Sequence, residues 1–251
     1  MYVDSEGIII KQTKSVNGRK MVTLFSKKYG KISAGTSINE KGKGKSSLAM
    51  KPFTYGRYNL YKNRDNFNVN GAETIKSYYR IGENIDKYMV CSYILELTDK
   101  LLGYSESNPR LFNLLLDFFE EIEKREKKYM TLVLAYEVKC LKELGVLPEI
   151  HFCTKCNSKD ELNYFSVKDG GVLCSKCIKD EANSRQETLI FPIKFGIISI
   201  LEFFIKNPLS SLKKLTLEDS SLLEIRAIIK EYMMYHLDVY NLKSESFLTF
   251  D

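Results

Sequence analysis

Short alternations of apolar and polar residues fill the first eighty positions of the chain. Five segments, 8–10, 21–25, 32–34, 52–61 and 67–69, are rich in β-branched and aromatic residues and are separated by polar turns. Asn17 and Gly18 form a strong hairpin signal, because both residues tolerate positive φ. Five strands in so short a stretch predict a small β-barrel of the OB type, although an SH3-like barrel gives a similar pattern.

The rest of the chain shows a helical period instead. The predicted helices cover 84–102, 109–122, 129–144, 192–205 and 222–237. Asn108 is a predicted N-cap before a first-turn proline, and Gly103 and Gly145 suit left-handed helix ends. The expected fold class is α+β multidomain, with an OB-fold β-barrel in residues 1–80 and an α-helical domain in residues 81–251.

Positive charge is concentrated on the predicted barrel. Residues 1–80 hold 16 Lys or Arg against 5 Asp or Glu, a net of +11, whereas residues 81–251 hold 22 against 27, a net of −5. Such a charge on a small domain is self-repulsive unless a polyanion neutralises it. The cations also alternate with aromatic residues, and single strands need cations for phosphates and rings for bases. We predict DNA contacts from Arg19, Lys20, Lys27, Lys28, Lys31, Lys41, Lys43, Lys45, Arg57 and Arg64.

The loop 39–47 contains Gly-Lys-Ser at 44–46, the last three positions of a phosphate-binding P-loop. The full pattern requires glycine where this chain has Asn39. No helical period follows Ser47 before the next strand, so the anion-binding helix N-terminus is not expected. The sequence therefore argues against nucleotide hydrolysis and predicts a basic loop that lies over a phosphate backbone.

Four of the six cysteines form two C-x-x-C pairs that are separated by 17 residues. Cys153 pairs with Cys156 and Cys174 with Cys177, and two such knuckles supply the thiolates of a tetrahedral zinc site. A zinc ion with four sulfur ligands has no open position, so it stabilises the fold and does not activate water. The pairs predict a structural zinc module at about 150–180, carried by the helical domain.

Other residues with chemical potential fit structural roles. Cys91 and Cys140 fall on apolar helix faces and are expected in the core. His236 lies on the apolar face of the last helix, and neither it nor His151 has an evident nucleophile or carboxylate partner. A zinc deaminase requires H-x-E before P-C-x-x-C, and a thioredoxin-like site explains only one C-x-x-C pair. We expect no enzymatic activity and no small-molecule substrate.

The apolar segments do not predict a membrane protein. The longest, 195–205, is interrupted by Ser199 and Glu202 and is shorter than the roughly 18 residues that a membrane span needs. The first six residues lack the basic flank and apolar run of a signal peptide. Because the cysteines have metal-binding spacing and not a disulfide pattern, we expect a cytoplasmic protein.

Several short motifs occur in a fixed order along the chain. They are Glu6-Gly7-Ile8-Ile9, Thr23-Leu24-Phe25, Gly30-Lys31-Ile32-Ser33, Pro52-Phe53, Leu144-Gly145, Pro148-Glu149, both C-x-x-C pairs, Phe165-Ser166, Gly170-Gly171-Val172-Leu173-Cys174, Leu242-Lys243-Ser244 and Phe247-Leu248. Together they resemble the bacterial RecO family of recombination mediators nearly from end to end. Asn157 stands where that family usually has glycine, and asparagine also tolerates a left-handed backbone.

The resemblance implies an OB domain, a helical domain and a zinc module carried by the helical domain. It also implies a part in DNA repair and homologous recombination, through the RecFOR pathway, without catalysis. Such a protein would bind single- and double-stranded DNA, anneal complementary strands and help RecR to load RecA onto strands coated by single-strand-binding protein. In that family the acidic, apolar tail of single-strand-binding protein docks on the helical domain. The implied location is the cytoplasm, in association with the nucleoid.

Two other functions stay open on the residues alone. A zinc-stapled interaction adaptor would use the basic barrel to bind an acidic protein partner, so acidic peptide and not homopolymeric DNA would saturate it. A zinc-ribbon transcription or RNA-binding factor would carry excess positive charge on the zinc module. In that module five lysines are balanced by five acidic residues, which disfavours the second alternative.

Overall fold

The structure is a computed structural model that describes residues 1–14, 20–39, 42, 44–64, 66–181 and 189–248. The chain forms two compact units, the first made of residues 1–126 with 242–248 and the second of residues 127–241. The predicted hairpin turn at Asn17 and Gly18 lies outside the described residues. The predicted α+β class is confirmed, because a β-barrel forms the N-terminal part and helices dominate the remainder of the chain.

The first unit opens with a closed five-stranded barrel. Its strands are β1 (Tyr2–Lys14), β2 (Lys20–Ser26), β3 (Gly30–Thr36), β4 (Thr54–Asn63) and β5 (Asn66–Ser77), in the order β1-β2-β3-β5-β4. The β3–β5 pair is parallel and the other pairs are antiparallel. This closed, OB-like barrel confirms the predicted N-terminal domain type.

Alternate residues of the strands fill the barrel. Val22 and Leu24 of β2 are almost fully buried, while Thr23 between them faces outward and is half-buried. The same alternation of period two recurs along β4 and at the start of β5. The barrel core consists of Ile9, Val22, Leu24, Ile32, Ala34, Met50, Tyr58, Leu60, Phe67 and Val69. Because the apolar residues point inward, a second row of side chains is left for the outer surface.

A short helix, α1 (Lys45–Ala49), lies between β3 and β4. The expectation that this loop contains no helix N-terminus was wrong, since α1 begins at Lys45. Five residues are too few to show a helical period in the sequence. The helix packs against the barrel, where the Tyr58 hydroxyl donates to the carbonyl oxygen of Ala49 at 2.6 Å and Met50 is buried. The P-loop pattern still fails, since Asn39 occupies the position that requires glycine.

Helices α2 (Ile85–Leu101) and α3 (Pro109–Lys124) complete the first unit, together with 3₁₀ turns at Tyr79–Glu83 and Lys243–Phe247. The predicted cap is confirmed, since the Asn108 side chain accepts from the backbone N–H of Leu111 at 3.0 Å. Gly103 is not left-handed, so that prediction was wrong. It lies instead against Glu106, whose Oε2 would be 2.6 Å from an added Cβ.

The second unit is built around α4 (Tyr129–Glu143), which is buried on nearly every side. Gly145, two residues after the end of α4, has a φ of +74°, which confirms the predicted left-handed stop. The carboxylate of Glu137 is fully buried on α4 and pairs with Arg226. A buried charge of this kind requires such a partner.

A small sheet comes after α4 in the same unit. Strands β6 (Leu162–Ser166), β7 (Gly171–Cys174) and β8 (Ile190–Pro192) are ordered β7-β6-β8, and helix α5 (Ser175–Glu181) follows β7 directly. This sheet holds the segment that contains the four spaced cysteines. The sequence did not predict its strands.

Helices α6 (Ile197–Lys206) and α7 (Asp219–Leu237), with a 3₁₀ turn at Leu209–Lys214, complete the second unit. The predicted start of α6 at residue 192 was wrong, because Pro192 ends β8 and Gly196 has a φ of +92°. Among the helices of the described ranges, none combines the length and apolar character needed to cross a bilayer.

Candidate metal centre and nucleic-acid interface

The four spaced cysteines converge on one point of the second unit. The Sγ atoms of Cys153, Cys156, Cys174 and Cys177 all lie within 4.8 Å of one another, and the Cys156 and Cys174 sulfurs are 3.6 Å apart. A tetrahedral ion with metal–sulfur bonds of about 2.3 Å separates its ligands by about 3.8 Å. The donor set therefore fits a tetrahedral metal ion with four sulfur ligands.

Backbone hydrogen bonds form the first cysteine knuckle. The N–H of Asn157 donates to the carbonyl oxygen of Cys153 at 2.9 Å, and the N–H of Cys153 donates to the carbonyl oxygen of Ser158 at 2.8 Å. Asn157 has a φ of +59°, which confirms the left-handed conformation expected at this position. The second knuckle follows from β7 turning directly into α5, which places Cys174 and Cys177 at their junction.

The electrostatics of the knuckles favour thiolates at two positions. Desolvation raises the pKa of the Cys153 thiol, but N–H donors from Cys156, Cys174 and Lys155 outweigh it and bring that pKa to about 6. The N–H of Cys177 is the main cause that lowers the pKa of Cys174. The pKa of Cys177 is raised, first by its hydrogen bond to Cys156. A cation bound among the sulfurs would favour the thiolate form of each of them.

The sheet beneath the knuckles is anchored by a close backbone approach. The N–H of Glu149 donates to the carbonyl oxygen of Gly170, and the N–H of Val172 donates to the carbonyl oxygen of Glu149, both at 2.9 Å. A Cβ on Gly171 would lie 2.3 Å from the Glu149 oxygen, so only glycine fits there. The Pro148-Glu149 and Gly170-Gly171 motifs thus share one structural role.

The two remaining cysteines lie in the core, as predicted, but the histidines differ from the prediction, since His236 is exposed and His151 has a carboxylate neighbour. Cys91 and Cys140 are fully buried, and desolvation raises the pKa of each thiol well above its ordinary value. His236 has an exposed ring, but its Nε2 is 2.7 Å from the Val167 carbonyl oxygen and the ring packs on Tyr232. His151 lies beside Glu202, with 3.6 Å between Nδ1 and Oε1.

The predicted phosphate contacts occupy different environments on the barrel. Three of the ten, Arg19, Lys41 and Lys43, lie outside the described residues. Lys20 begins β2, opposite Thr36 of β3. The exposed predicted cations are Lys28 in the β2–β3 turn, Lys45 at the start of α1, Arg57 on β4 and Arg64 in the β4–β5 turn.

Lys31 is almost completely buried, with 8% of its surface exposed. Its Nζ donates to the backbone oxygen of Asp99 at 2.6 Å and lies 3.4 Å from the carboxylate of the same residue. The same ammonium lies 4.6 Å from the ring centre of Tyr104. Because its ammonium is already paired with Asp99, we do not propose Lys31 as a phosphate contact.

Lys27 and Arg57 both neighbour one carboxylate. Lys27 Nζ lies 3.1 Å from Glu6 Oε2, and Arg57 is directly opposite Glu6 across the β1–β4 pair. Arg57 is also opposite Glu73 across the β4–β5 pair. Hydrogen bonds from Tyr55 and then Lys27 lower the pKa of Glu6, so this carboxylate is ionised at neutral pH. The two cations therefore carry less net charge to the surface than their sequence positions suggest.

A second group of cations surrounds aromatic rings at the β2–β3 and β4–β5 turns. The Nζ atoms of Lys28 and Lys62 lie 5.4 and 5.6 Å from the ring centre of Tyr29, and Lys62 is also 5.5 Å from that of Phe67. The two rings are themselves 5.6 Å apart. We call Lys28, Tyr29, Lys62 and Phe67 the cation–aromatic cluster. Exposed Arg64 follows it two residues after Lys62.

Lys62 was missing from the ten predicted contacts, although the sequence places it beside Tyr61. The ring of Tyr61 is 37% exposed and packs at 5.2 Å on Tyr2, which is 67% exposed. These rings extend the aromatic surface from β4 to β1. The sequence signal that could have identified Lys62 is its position next to a tyrosine. The strand pairing of the barrel was needed to show which aromatic rings lie together.

Comparisons with known proteins agree with this architecture. Residues 1–78 match the family described as Recombination protein O N terminal, and residues 82–246 match Recombination protein O C terminal. A protein named DNA repair protein RecO from Alkaliphilus metalliredigens is 26% identical over 97% of this chain and 97% of its own. Those of Oceanobacillus iheyensis and Bacillus mycoides are 29% and 28% identical, over 90% and 99% of this chain and 85% and 97% of their own.

Proposed function

Because the chain belongs to the RecO family of DNA repair and recombination proteins, we propose that its barrel binds DNA and anneals complementary strands. The proposed substrates are single- and double-stranded DNA, and the proposed DNA-binding domain is residues 1–80. Residues 81–251 would form the helical domain with its metal module. No residue needs to act as a catalyst in this function, so we propose that the protein is not an enzyme.

The cation–aromatic cluster is the observation that carries this proposal. Lys28 and Lys62 present two ammonium groups around one tyrosine ring, and exposed Arg64 lies in the adjoining turn. Phosphates are attracted by such cations, and every base has a face that can stack on an exposed ring such as Tyr61. The cluster supplies the phosphate contacts, and Tyr61, next to Lys62 in the sequence, supplies a ring for a base.

Annealing follows from charge neutralisation. Two single strands repel each other, so a surface that holds their phosphates lowers the cost of bringing them together. Contacts to the backbone leave base edges free to pair. The exposed Lys45 at the start of α1 would add a contact beyond the cluster. The basic loop with Lys41 and Lys43, which are outside the described residues, would extend it further.

We propose that the four cysteines hold a structural zinc ion. Zinc would supply folding energy to the small sheet and no chemistry, because sulfur fills its coordination shell. The fit of the sulfurs to a tetrahedron and the lowered pKa values of Cys153 and Cys174 support this assignment. The module would then give the helical domain a rigid surface.

We further propose the partners that the family resemblance implies. These are RecR, which would act with this protein to load RecA, and the C-terminal tail of single-strand-binding protein. The site of action would be the cytoplasm, at the nucleoid, where chromosomal single strands arise. The competing function, an adaptor for an acidic protein, uses the same positive surface and must be separated by experiment.

Strand annealing tests the proposal directly. Metal-replete protein should accelerate annealing of complementary oligonucleotides, both bare and coated with single-strand-binding protein. The variant with Lys28, Lys62 and Arg64 changed to Ala should lose most of that acceleration. Lys206→Ala is the matched control, since this lysine pairs with Glu202 on α6 of the other unit. Saturation by an acidic peptide but not by homopolymeric DNA would support the adaptor instead.

A further inference from the structure

The β3–β5 pairing of the closed barrel is short. These strands pair where Ala34, Gly35 and Thr36 face Phe67, Asn68 and Val69. Before that point β3 pairs with the segment that comes after α2, through a parallel bridge between Lys31 and Tyr104. Beside this short pairing lies a cavity of about 530 Å³, which is within the usual range for ligand pockets.

The cavity combines apolar, polar and aromatic surfaces. Buried Ile32 and Phe67 supply apolar surface, and exposed Ser33, Asn66 and Asn68 supply hydroxyl and amide groups. An amide side chain both donates and accepts hydrogen bonds, as the edge of a nucleobase does. The ring of Tyr104 also lines the cavity and is 64% exposed.

Tyr104 is held in place by its neighbours. The N–H of Ser105 donates to the Lys31 carbonyl oxygen at 2.9 Å, and the Ser107 hydroxyl donates to the Lys27 carbonyl oxygen at 2.9 Å. Glu106 lies so close to Gly30 that a Cβ there would be 2.0 Å from the Glu106 oxygen. The Lys31 ammonium, 4.6 Å from the ring centre, is fixed in turn by Asp99. An exposed ring on a fixed segment loses little entropy when it binds.

We infer that this cavity receives one nucleobase of a bound single strand, with Tyr104 as its stacking surface. The inference rests on the proposed function and adds a base-binding residue that lies outside the barrel. Phe67 belongs to both the cavity and the cation–aromatic cluster. A phosphate near Lys62 would therefore place its neighbouring base close to the cavity. The β2–β3 face is also where OB folds bind oligonucleotides.

Two probes separate base binding from phosphate binding. Affinity is measured by fluorescence anisotropy for an oligothymidylate and for an abasic strand with the same number of phosphates. Tyr104→Ala should weaken oligothymidylate binding about tenfold, as expected for the loss of one base–aromatic stack, and should leave abasic binding unchanged. Tyr104→Phe should retain affinity within about twofold, because the ring is kept.

Tyr79→Ala is the matched control, since Tyr79 is 61% exposed in the same unit and does not line the cavity. It should bind both strands like the wild type, and thermal unfolding should show both alanine variants folded. Asn68→Leu, which keeps the branched shape of the side chain but removes the amide, should reduce binding of the oligothymidylate alone.

Two results would overturn the inference while leaving DNA binding by the barrel intact. One is wild-type affinity of Tyr104→Ala for the oligothymidylate. The other is an equal loss on the abasic strand, which would make Tyr104 a structural or phosphate-positioning residue. If wild-type protein bound neither strand, the proposed function would fail and the inference with it.

Discussion

The barrel and the cysteine module hold their backbones together in different ways. Within the described residues of the barrel, ten buried side chains form the core, from Ile9 of β1 to Val69 of β5. In the described part of the module, the buried cluster consists of Cys153, Leu173 and Cys174, with other side chains partly buried around it. This cluster is small, although Phe165, Val167 and Val172 of the same segment are buried as well, so we expect a bound metal to contribute much of the module's stability.

The same contrast separates stability from function. Because apolar residues inside the barrel stabilise it, charged side chains outside that core, namely exposed Lys28 and Arg64 and half-buried Lys62, are available to a ligand. In the module, in contrast, we expect the four ionisable thiols to stabilise the fold through a bound metal. We therefore expect metal loss to damage the module first and surface charge changes on the barrel to alter DNA binding without unfolding.

The largest effect should come from removing the sulfur ligands. Structural zinc contributes about 10 kcal/mol or more to the folding of small zinc domains. Replacing both Cys153 and Cys174 with Ser should abolish metal binding, and limited proteolysis should then cut the 150–180 segment while the barrel stays protected. A chelator should have the same effect on the wild type.

The control for that experiment is Cys91→Ala, which removes a buried thiol outside the sulfur cluster. It should cost on the order of 1 kcal/mol and leave the metal content unchanged. A module that resists protease equally well with and without metal would contradict its dependence on the ion.

Truncating a core residue should have the next largest effect and should act on the barrel alone. Leu60 is fully buried, so Leu60→Ala should lower the free energy of unfolding by about 3 kcal/mol through lost burial and a cavity. Urea unfolding followed by a barrel probe measures the loss, and metal content should not change. Asn70→Ala, at an exposed position of the same sheet, should stay within about 0.5 kcal/mol of the wild type.

In the first unit, the hydrogen bonds to one carboxylate depend on pH. The Glu96 carboxylate accepts from the backbone N–H groups of Lys243 and Ser244 at 3.0 and 2.8 Å, and from the Ser244 hydroxyl. Desolvation raises the pKa of Glu96, but the Ser244 and Lys243 donors outweigh it, so the pKa falls below its usual 4.5. The stabilisation from these hydrogen bonds is therefore complete above the pKa that Glu96 has in the unfolded chain. It is lost as the pH falls through the lower pKa that Glu96 has in the folded protein.

Glu96→Gln should accordingly cost about 1 kcal/mol at neutral pH, a value reduced from that of buried charged hydrogen bonds because the site is partly solvated. The difference between variant and wild type should shrink below pH 4.5, where the wild-type carboxyl also protonates. Urea midpoints at the two pH values measure this. If the stability difference between Glu96→Gln and the wild type did not change with pH, the charge of the carboxylate would not contribute to these hydrogen bonds.

The smallest expected effect is a gain in affinity. Glu6 is ionised and adjoins Lys27 and Arg57, so Glu6→Gln should release part of their positive charge. We expect DNA binding to tighten about two- to threefold in dilute buffer and to converge with the wild type at high salt, because surface charges are screened. Weaker binding by this variant would show that Glu6 supports the interface by positioning its neighbours.

Local signals made much of the structure predictable. The alternation in residues 21–25 and 32–34 specified barrel strands, Asn108 specified a helix start, and the C-x-x-C spacing specified converging sulfurs. Each of these features is encoded within a few neighbouring residues.

Features that depend on distant residues were not predictable. The burial of Lys31 requires Asp99, 68 positions away, and the role of Lys62 requires Tyr29 from another turn. Residues 190–192 form a strand because they pair with β6, which the sequence near Pro192 does not show. In these cases a distant partner decides the structure that the local pattern leaves open. The helix α1 was missed for another reason, since it is too short to show a helical period.

The salt dependence of single-strand binding tests the central claim that barrel cations neutralise DNA phosphates. The logarithm of the wild-type association constant should fall steeply and linearly with the logarithm of salt concentration. Replacing Lys28, Lys62 and Arg64 together with Ala should reduce that slope by about 2, at roughly 0.7 per lost phosphate contact, in protein that keeps its metal. An unchanged slope, or no wild-type binding even in dilute buffer, would contradict the account.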